Sequence, residues 1–290
     1  MYYLLLILLY PVALLPLRVL YVLSDLIFLI LFYIVGYRKA LVLEQLQYAF
    51  PEKSADELLR IRRQFFRNFC DQWMETLKLL TISEAQLNKR ITANWEIFHQ
   101  LYDEGKDTYA LLGHTFNWEW ANVACQYNCR QQFAGVYMPP DNKAFDKLMH
   151  RIRTRSGVWL ISMMAKKGFT RLQGVRYIVG LIADQNPSNL KAAVWLNFMH
   201  RTVPFFRGPE QLATRNKAAV VFAGIERVKR GYYKITLHKY TDDASQLPQG
   251  QMMQDYVSFM EEQLHHQPDN WMWTHRRWKH SDKAISVHSH

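Results

Sequence analysis

The chain has 290 residues, with 36 Lys and Arg against 25 Asp and Glu, a formal charge of +11. That length can bury one large α/β core, and no Pro-, Gly- or Ser-rich linker divides it into two similar halves, which argues against a string of small domains. The positive balance favours acidic partners such as anionic lipid, phosphorylated lipid, an acidic carrier protein or nucleic acid, and the three cysteines are too few for a disulfide framework, favouring a reducing, cytoplasm-facing location.

The N-terminus narrows these classes. Residues 1–36 carry two charged side chains, Arg18 and Asp25, among Leu, Ile, Val, Tyr and Phe, and end at Arg38-Lys39. A secretory signal would need a basic start and a small-residue cleavage site, and neither is visible. The segment is expected to stay attached as a membrane anchor. Its uncharged run over 1–17 is interrupted by Pro11 and Pro16, and the second run, Leu26 to Val35, is short for a hydrocarbon core. An interfacial or re-entrant anchor fits as well as one tilted span, and a pair of buried core helices is the plain alternative. The domain reading is therefore an anchor over 1–36 and an α/β domain over 37–290.

From residue 52 the pattern is that of a soluble domain. Ser54-Ala-Asp-Glu57 has the form of a capping box, and Leu58, Leu59, Ile61, Phe65, Phe66, Phe69, Trp73 and Leu77 recur at helical spacing through about residue 80. Residues 108–112, Thr-Tyr-Ala-Leu-Leu, read as a buried strand. Gly113 permits a sharp bend, and Thr115 or Asn117 is placed to cap a helix opening at Trp118.

This turn contains the most informative stretch of the chain, Gly-His-Thr-Phe-Asn-Trp-Glu-Trp at 113–120. A histidine is a base near neutral pH, able to take a proton from a hydroxyl, and a carboxylate can hold its imidazole. His114 and Glu119 are the candidate base and orienter. Five residues apart they would point about 140° away from each other on a regular helix, so they meet only if His114 precedes the helix. The bland reading is a capping histidine and a surface glutamate. Cys125 and Cys129, one turn further on, are within reach of one metal ion but have no third ligand nearby, so apolar packing is the simpler account.

Beyond this stretch, strand-like runs at 132–138, 158–161, 177–183, 219–223 and 232–238 alternate with helical stretches near 142–155, 210–217 and 250–267. Alternation of this kind predicts α/β layers around a largely parallel sheet. Near the end, His275, Arg276 and Arg277 sit between Trp271, Trp273 and Trp278. Aromatics alternating with cations suit a membrane interface, and would also suit single-stranded nucleic acid; the apolar leader tips the balance to lipid, and an edge element packed on the core is the structural alternative. The polar tail from Lys279 to His290 is expected to be mobile.

Several segments in order resemble the bacterial lipid A late acyltransferases, the lauroyl/myristoyl acyltransferase family. They are the 113–120 stretch, Asn142 to Ser156 with Arg153 and Arg155, Asp184-Gln185-Asn186-Pro187, Val203 to Gly208, and Trp273 to Lys279. Tyr37-Arg38-Lys39, Ala49 to Lys53 and the apolar leader agree, so the resemblance covers roughly residues 5–280. It implies a glycerolipid-acyltransferase-like α/β fold, a mostly parallel sheet flanked by helices, with an N-terminal apolar membrane anchor. It also implies the cytoplasmic face of the bacterial inner membrane, acyl carrier protein as donor, and a phosphorylated glycolipid as acceptor. His114 would deprotonate the acceptor hydroxyl, Glu119 would orient it, and Arg153 is the first candidate for oxyanion or phosphate contact. Arg155, Asp184 and Asn117 are placed at the substrate site, Asp184 through hydrogen bonds that fix a loop or an arginine. No cofactor, metal or nucleic acid is expected.

One departure bears on the acceptor: Met138 stands where many family members carry an arginine before the proline, so another hydroxylated or amine-bearing lipid remains an alternative. A lysophospholipid acyltransferase would usually carry aspartate in place of Glu119. A membrane-bound binding protein without chemistry is the more distant reading.

Overall fold

The computed structural model describes residues 1–165 and 167–281; the expected mobile tail beyond 281 lies outside the described residues. In chain order the elements are α1 (Tyr2–Leu14), α2 (Leu17–Leu29, continued by a π-helical turn Ile30–Val35), α3 (Lys39–Ala49), α4 (Ala55–Lys78), α5 (Glu84–Asn88), β1 (Ile91–Ala93) and α6 (Glu96–Asp103). There follow β2 (Thr108–Leu112), α7 (Trp118–Asn128), β3 (Gln132–Tyr137), α8 (Lys143–Thr154), β4 (Trp159–Ser162), β5 (Tyr177–Ile182), β6 (Ala193–Phe198), β7 (Arg201–Phe206), α9 (Gly208–Arg215), β8 (Ala219–Lys229), β9 (Tyr232–Thr241) and α10 (Gln251–His266).

Seven strands form one sheet in the order β1-β9-β8-β2-β5-β3-β4. All neighbours pair parallel except the hairpin β8–β9, and the predicted α/β class with a mostly parallel sheet is what the chain adopts. Every residue of β2 is buried, as a central parallel strand covered on both faces requires. Its side chains alternate between two cores. Tyr109 and Leu111 join Phe65, Phe116, Tyr256 and Trp271 on one face, while Ala110 and Leu112 join Trp120, Val123 and Phe133 on the other.

The β6–β7 hairpin went unpredicted. Its turn is made by Met199 and His200, both at positive φ (47° and 68°), whereas the usual sequence signal for such a turn is Asn-Gly or Asp-Gly. Pro204 also sits inside β7, which is tolerated because this sheet has only two strands and a free edge.

The leader is packed on the α/β body. α2 runs along α4, and Lys78 Nζ donates to the Ala13 and Leu15 carbonyls at 2.9 Å each, closing the C-terminus of α1. Asp25 is neutralised by Arg230 at 2.8 Å, and Arg230 also grips buried Asp71. The stretch Leu17–Val35 is one continuous 19-residue helical run of mean hydropathy 2.2, long and apolar enough to cross a membrane by length and composition. The charges at Arg18 and Asp25 had split it into shorter runs in the sequence. Tyr3, Leu4, Ile7, Leu8, Val22, Leu26, Ile34 and Val35 remain exposed, an apolar face that the protein itself does not cover.

Candidate active site

The site forms where β2 and β5 end side by side. Parallel α/β sheets gather functional groups at the carboxyl ends of strands, and here β2 delivers His114 while β5 delivers Asp184. The strands pair from Thr108 opposite Ile178 to Leu112 opposite Ile182. Two residues further, in the same register, the His114 ring Nδ1 lies 2.5 Å from Asp184 Oδ1, and the His114 amide donates to Oδ2 at 2.7 Å. Gly113 makes the approach possible. A Cβ there would come within 3.1 Å of Asp184 Oδ2 and overlap the Met260 side chain.

Asp184 is fully buried, and burial pushes its carboxyl upward. The facing His114 charge, hydrogen bonds from the His114 ring and amide, and the Trp271 indole at 2.6 Å outweigh that and hold it below the usual carboxylate range. An ionised Asp184 fixes the imidazole with Nδ1 protonated and leaves Nε2 as the basic nitrogen. The His114 side chain keeps 20% of its surface exposed.

Glu119 does not orient His114, which corrects the dyad expected from the sequence. It lies in the first turn of α7, one residue beyond Trp118, and grips Arg153 of α8 bidentately, at 2.5 Å to Nη2 and 2.9 Å to Nε. Its carboxylate is 3% exposed, and opposite charge and hydrogen bonding hold Arg153 above its ordinary range despite burial. Trp118 bridges the two halves: its ring meets His114 edge to face at 5.2 Å, and its Nε1 donates to Glu119 at 3.2 Å.

Three further sequence expectations change. Asn117 is buried with both ends of its amide engaged: Oδ1 caps the Trp120 amide at 3.0 Å, and Nδ2 donates to Glu75 at 2.7 Å. It builds the turn and is buried away from solvent. Arg155 donates to the Leu79 and Ile82 carbonyls, tying α8 to the chain after α4 instead of joining His114. Asp184 has no exposed surface, and the hydrogen bonds expected to fix a loop or an arginine go to His114 and Trp271. Of the proposed binding residues, Arg153 keeps 24% of its side chain exposed and Arg155 is exposed, while Asn117 and Asp184 are buried.

The Trp-rich segment is also corrected. Trp271, Trp273 and Trp278 are buried and pack on one another, Trp271 with Trp273 at 4.8 Å and Trp273 with Trp278 at 6.1 Å. They are core, as the chain returns from α10 beneath the site and bridges Thr115 through Trp271. Arg277 is buried over the Phe205 ring at 4.1 Å and holds Asn186 Oδ1 at 2.6 Å, and burial lowers it to about 9. His275 accepts from the Asn186 amide through Nε2 at 3.2 Å; burial pushes it to about 4, so it is neutral near pH 7. The Asp184–Pro187 turn is thus clamped from two sides.

Glu75 was missed. It is fully buried on α4 and accepts from Tyr21 of α2 at 2.8 Å, Asn117 at 2.7 Å and Tyr233 of β9 at 2.6 Å, so one carboxylate joins the leader, the catalytic turn and the sheet. The available signal was Asn68, Asp71 and Glu75, a polar row at helical spacing on a helix otherwise read for its apolar stripe. Cys125 and Cys129 bring their sulfurs to 3.7 Å, and burial raises the Cys125 thiol. A cavity of about 1010 Å³ opens at the opposite ends of β2 and β5, lined by Asp107, Tyr109, Arg176 and Tyr177, away from His114.

The family of bacterial lipid A biosynthesis acyltransferases has a sequence model that matches this chain over residues 1–280. The chain belongs to that family. It is an acyltransferase, and the acceptor class of the family is a lipid A-type molecule. A search of curated proteins finds no match. In this acyltransferase the matched region takes in the leader, the sheet and the Trp-rich return, so every residue of the site lies within it.

Proposed function

We propose that this acyltransferase moves a fatty acyl chain from the thioester of acyl carrier protein onto a hydroxyl of a phosphorylated lipid A precursor, a secondary acylation at the cytoplasmic face of the bacterial inner membrane. The observation that carries the reading is the His114–Asp184 pair, a histidine held by an ionised carboxylate with Nε2 left to act. His114 Nε2 takes the proton of the acceptor hydroxyl as its oxygen attacks the thioester carbonyl. The tetrahedral intermediate collapses, the C–S bond breaks, and the imidazolium returns the proton to the departing thiolate. Asp184 stabilises the imidazolium between the two steps. No acyl-enzyme is required, because the thioester is already activated.

Arg153, held in place by Glu119, contributes a fixed cation near Trp118 and His114 for the developing oxyanion or the acceptor phosphate. The exposed apolar faces of α1 and α2 support a membrane position, where an insoluble acceptor is reached. A second reading, transfer to another hydroxylated or amine-bearing lipid, is favoured by Met138, which follows β3 and is 52% exposed where an arginine is usual in the family. Mass spectrometry of envelope lipids with and without the gene tests both. Loss of one secondary acyl chain from lipid A is expected; an unchanged lipid A with another lipid altered selects the second reading.

A further inference from the structure

The catalytic reading leaves one strongly charged feature unused, the outer face of α8. We propose that this face docks on the phosphate-bearing headgroups of an anionic bilayer. Lys143, Lys147, His150 and Arg151 are all exposed and follow one another at spacings of four, three and one, which places them along one side of the helix. Among the described residues no carboxylate forms an ion pair with any of them, while the buried side of the helix carries Ala144, Leu148, Met149 and Ile152. Asp146 lines the same cleft and Asp141 stands two residues before Lys143, and neither forms an ion pair with these cations.

What this face lies beside selects the occupant. α1 packs along α8, and the two enclose a cleft of about 870 Å³ between Lys143, Lys147 and Arg151 on one wall and Tyr2 and Tyr3 on the other. The α1 wall continues into the exposed Leu4, Ile7 and Leu8. Cations bordering an uncovered aliphatic and tyrosine surface match a lipid interface, where aliphatics enter the acyl region and ammonium or guanidinium groups meet phosphate. An acidic carrier protein would satisfy the charges but leave the flanking aliphatics in water. The inner side of the same helix ends at Arg153, clamped to Glu119, so docking α8 would fix the height of the active site above the headgroups. This inference rests on the reading that the α1–α2 apolar face lies in the bilayer.

The test uses the full chain, purified in detergent and diluted into vesicles of phosphatidylcholine with or without phosphatidylglycerol, with co-flotation as the readout. The wild type is expected to bind both, more tightly to the anionic vesicles, with the extra binding lost at high salt as the Debye length falls to about 3 Å at 1 M. The triple variant Lys143→Gln, Lys147→Gln, Arg151→Gln should lose at least about tenfold of that preference, each cation near an anionic surface contributing roughly fivefold, and should keep its binding to neutral vesicles. A triple variant that retains the anionic preference overturns the proposal. So does one that retains it but no longer binds acyl carrier protein, which would make α8 the carrier's surface. A wild type that ignores neutral vesicles yet shows a salt-sensitive, α8-dependent preference for anionic ones sustains this proposal and removes the apolar anchor.

Discussion

His114 and Asp184 meet because β2 and β5 pair at a constant offset of 70 residues, which carries past both strand ends to this histidine and this aspartate. The contact is therefore built by the most rigid part of the fold, the two central strands. Pre-positioning of this kind is what a general base needs, since the proton acceptor must be held within hydrogen-bond reach of the hydroxyl.

Replacing His114 by Ala should lower acyl transfer by at least about 10²-fold, the ordinary contribution of a general base, while the circular dichroism and melting profile stay close to wild type because the ring is partly exposed. Retention of more than about a tenth of the rate, measured with purified acceptor and acyl-loaded carrier protein, would remove His114 from the base role.

Asp184→Asn should be about as damaging to turnover, since an amide can bind Nδ1 but cannot stabilise an imidazolium. It also has a signature in acid. The folded state holds the Asp184 carboxyl below its unfolded value, so its contribution to stability is complete above the unfolded pKa near 4 and is lost as pH falls through the lower, folded value. Wild type should lose part of its stability on acidification below about pH 4, and Asp184→Asn should lose less over that window. Parallel curves from denaturant titrations across this range would contradict the assignment.

Glu119 and Arg153 should behave as one unit. Removing either leaves a partner charge largely or wholly buried, so Glu119→Gln and Arg153→Met are each expected to destabilise by about 2–4 kcal/mol, with the double variant costing clearly less than their sum. In kinetics, Arg153→Met should lower kcat if the cation serves the reacting carbonyl, and raise KM alone if it only docks the acceptor. Additive destabilisation in the cycle would mean the pair is not coupled.

Glu75→Gln tests the link between the leader and the catalytic turn. The amide offers one acceptor oxygen to Tyr21, Asn117 and Tyr233 and brings its own donors, leaving at least one buried group unpaired at a cost of about 1–3 kcal/mol. Turnover should fall along with stability, because Asn117 caps the helix that carries Glu119. A variant with lowered melting temperature and wild-type kcat would separate the two effects and confine Glu75 to the scaffold.

Much of this protein was settled by local sequence. Apolar strand-like runs alternating with helical stretches gave most strands and helices of the sheet, the Ser54 capping box started α4, and Asn117 was one of two candidate caps for α7. Those features depend on neighbours within a few residues. The partners of the ionisable groups do not. Asp184 was legible as a strand-end residue but became the orienter of His114 only through register with a strand 70 residues away. Glu119 was drawn to His114 by closeness in sequence, yet α8 folds back to present Arg153, and a bidentate guanidinium is the stronger claimant for a carboxylate that is otherwise buried. The tryptophans followed the same logic. Their alternation with cations reads as an interface in one dimension, and only the packing of the chain after α10 against Phe198 of β6 and Asp184 makes them core. Sequence fixes periodicity and caps because these act over one or two turns; which charge pairs with which is decided by tertiary distance, since a buried charge must find whatever opposite charge the fold brings within reach.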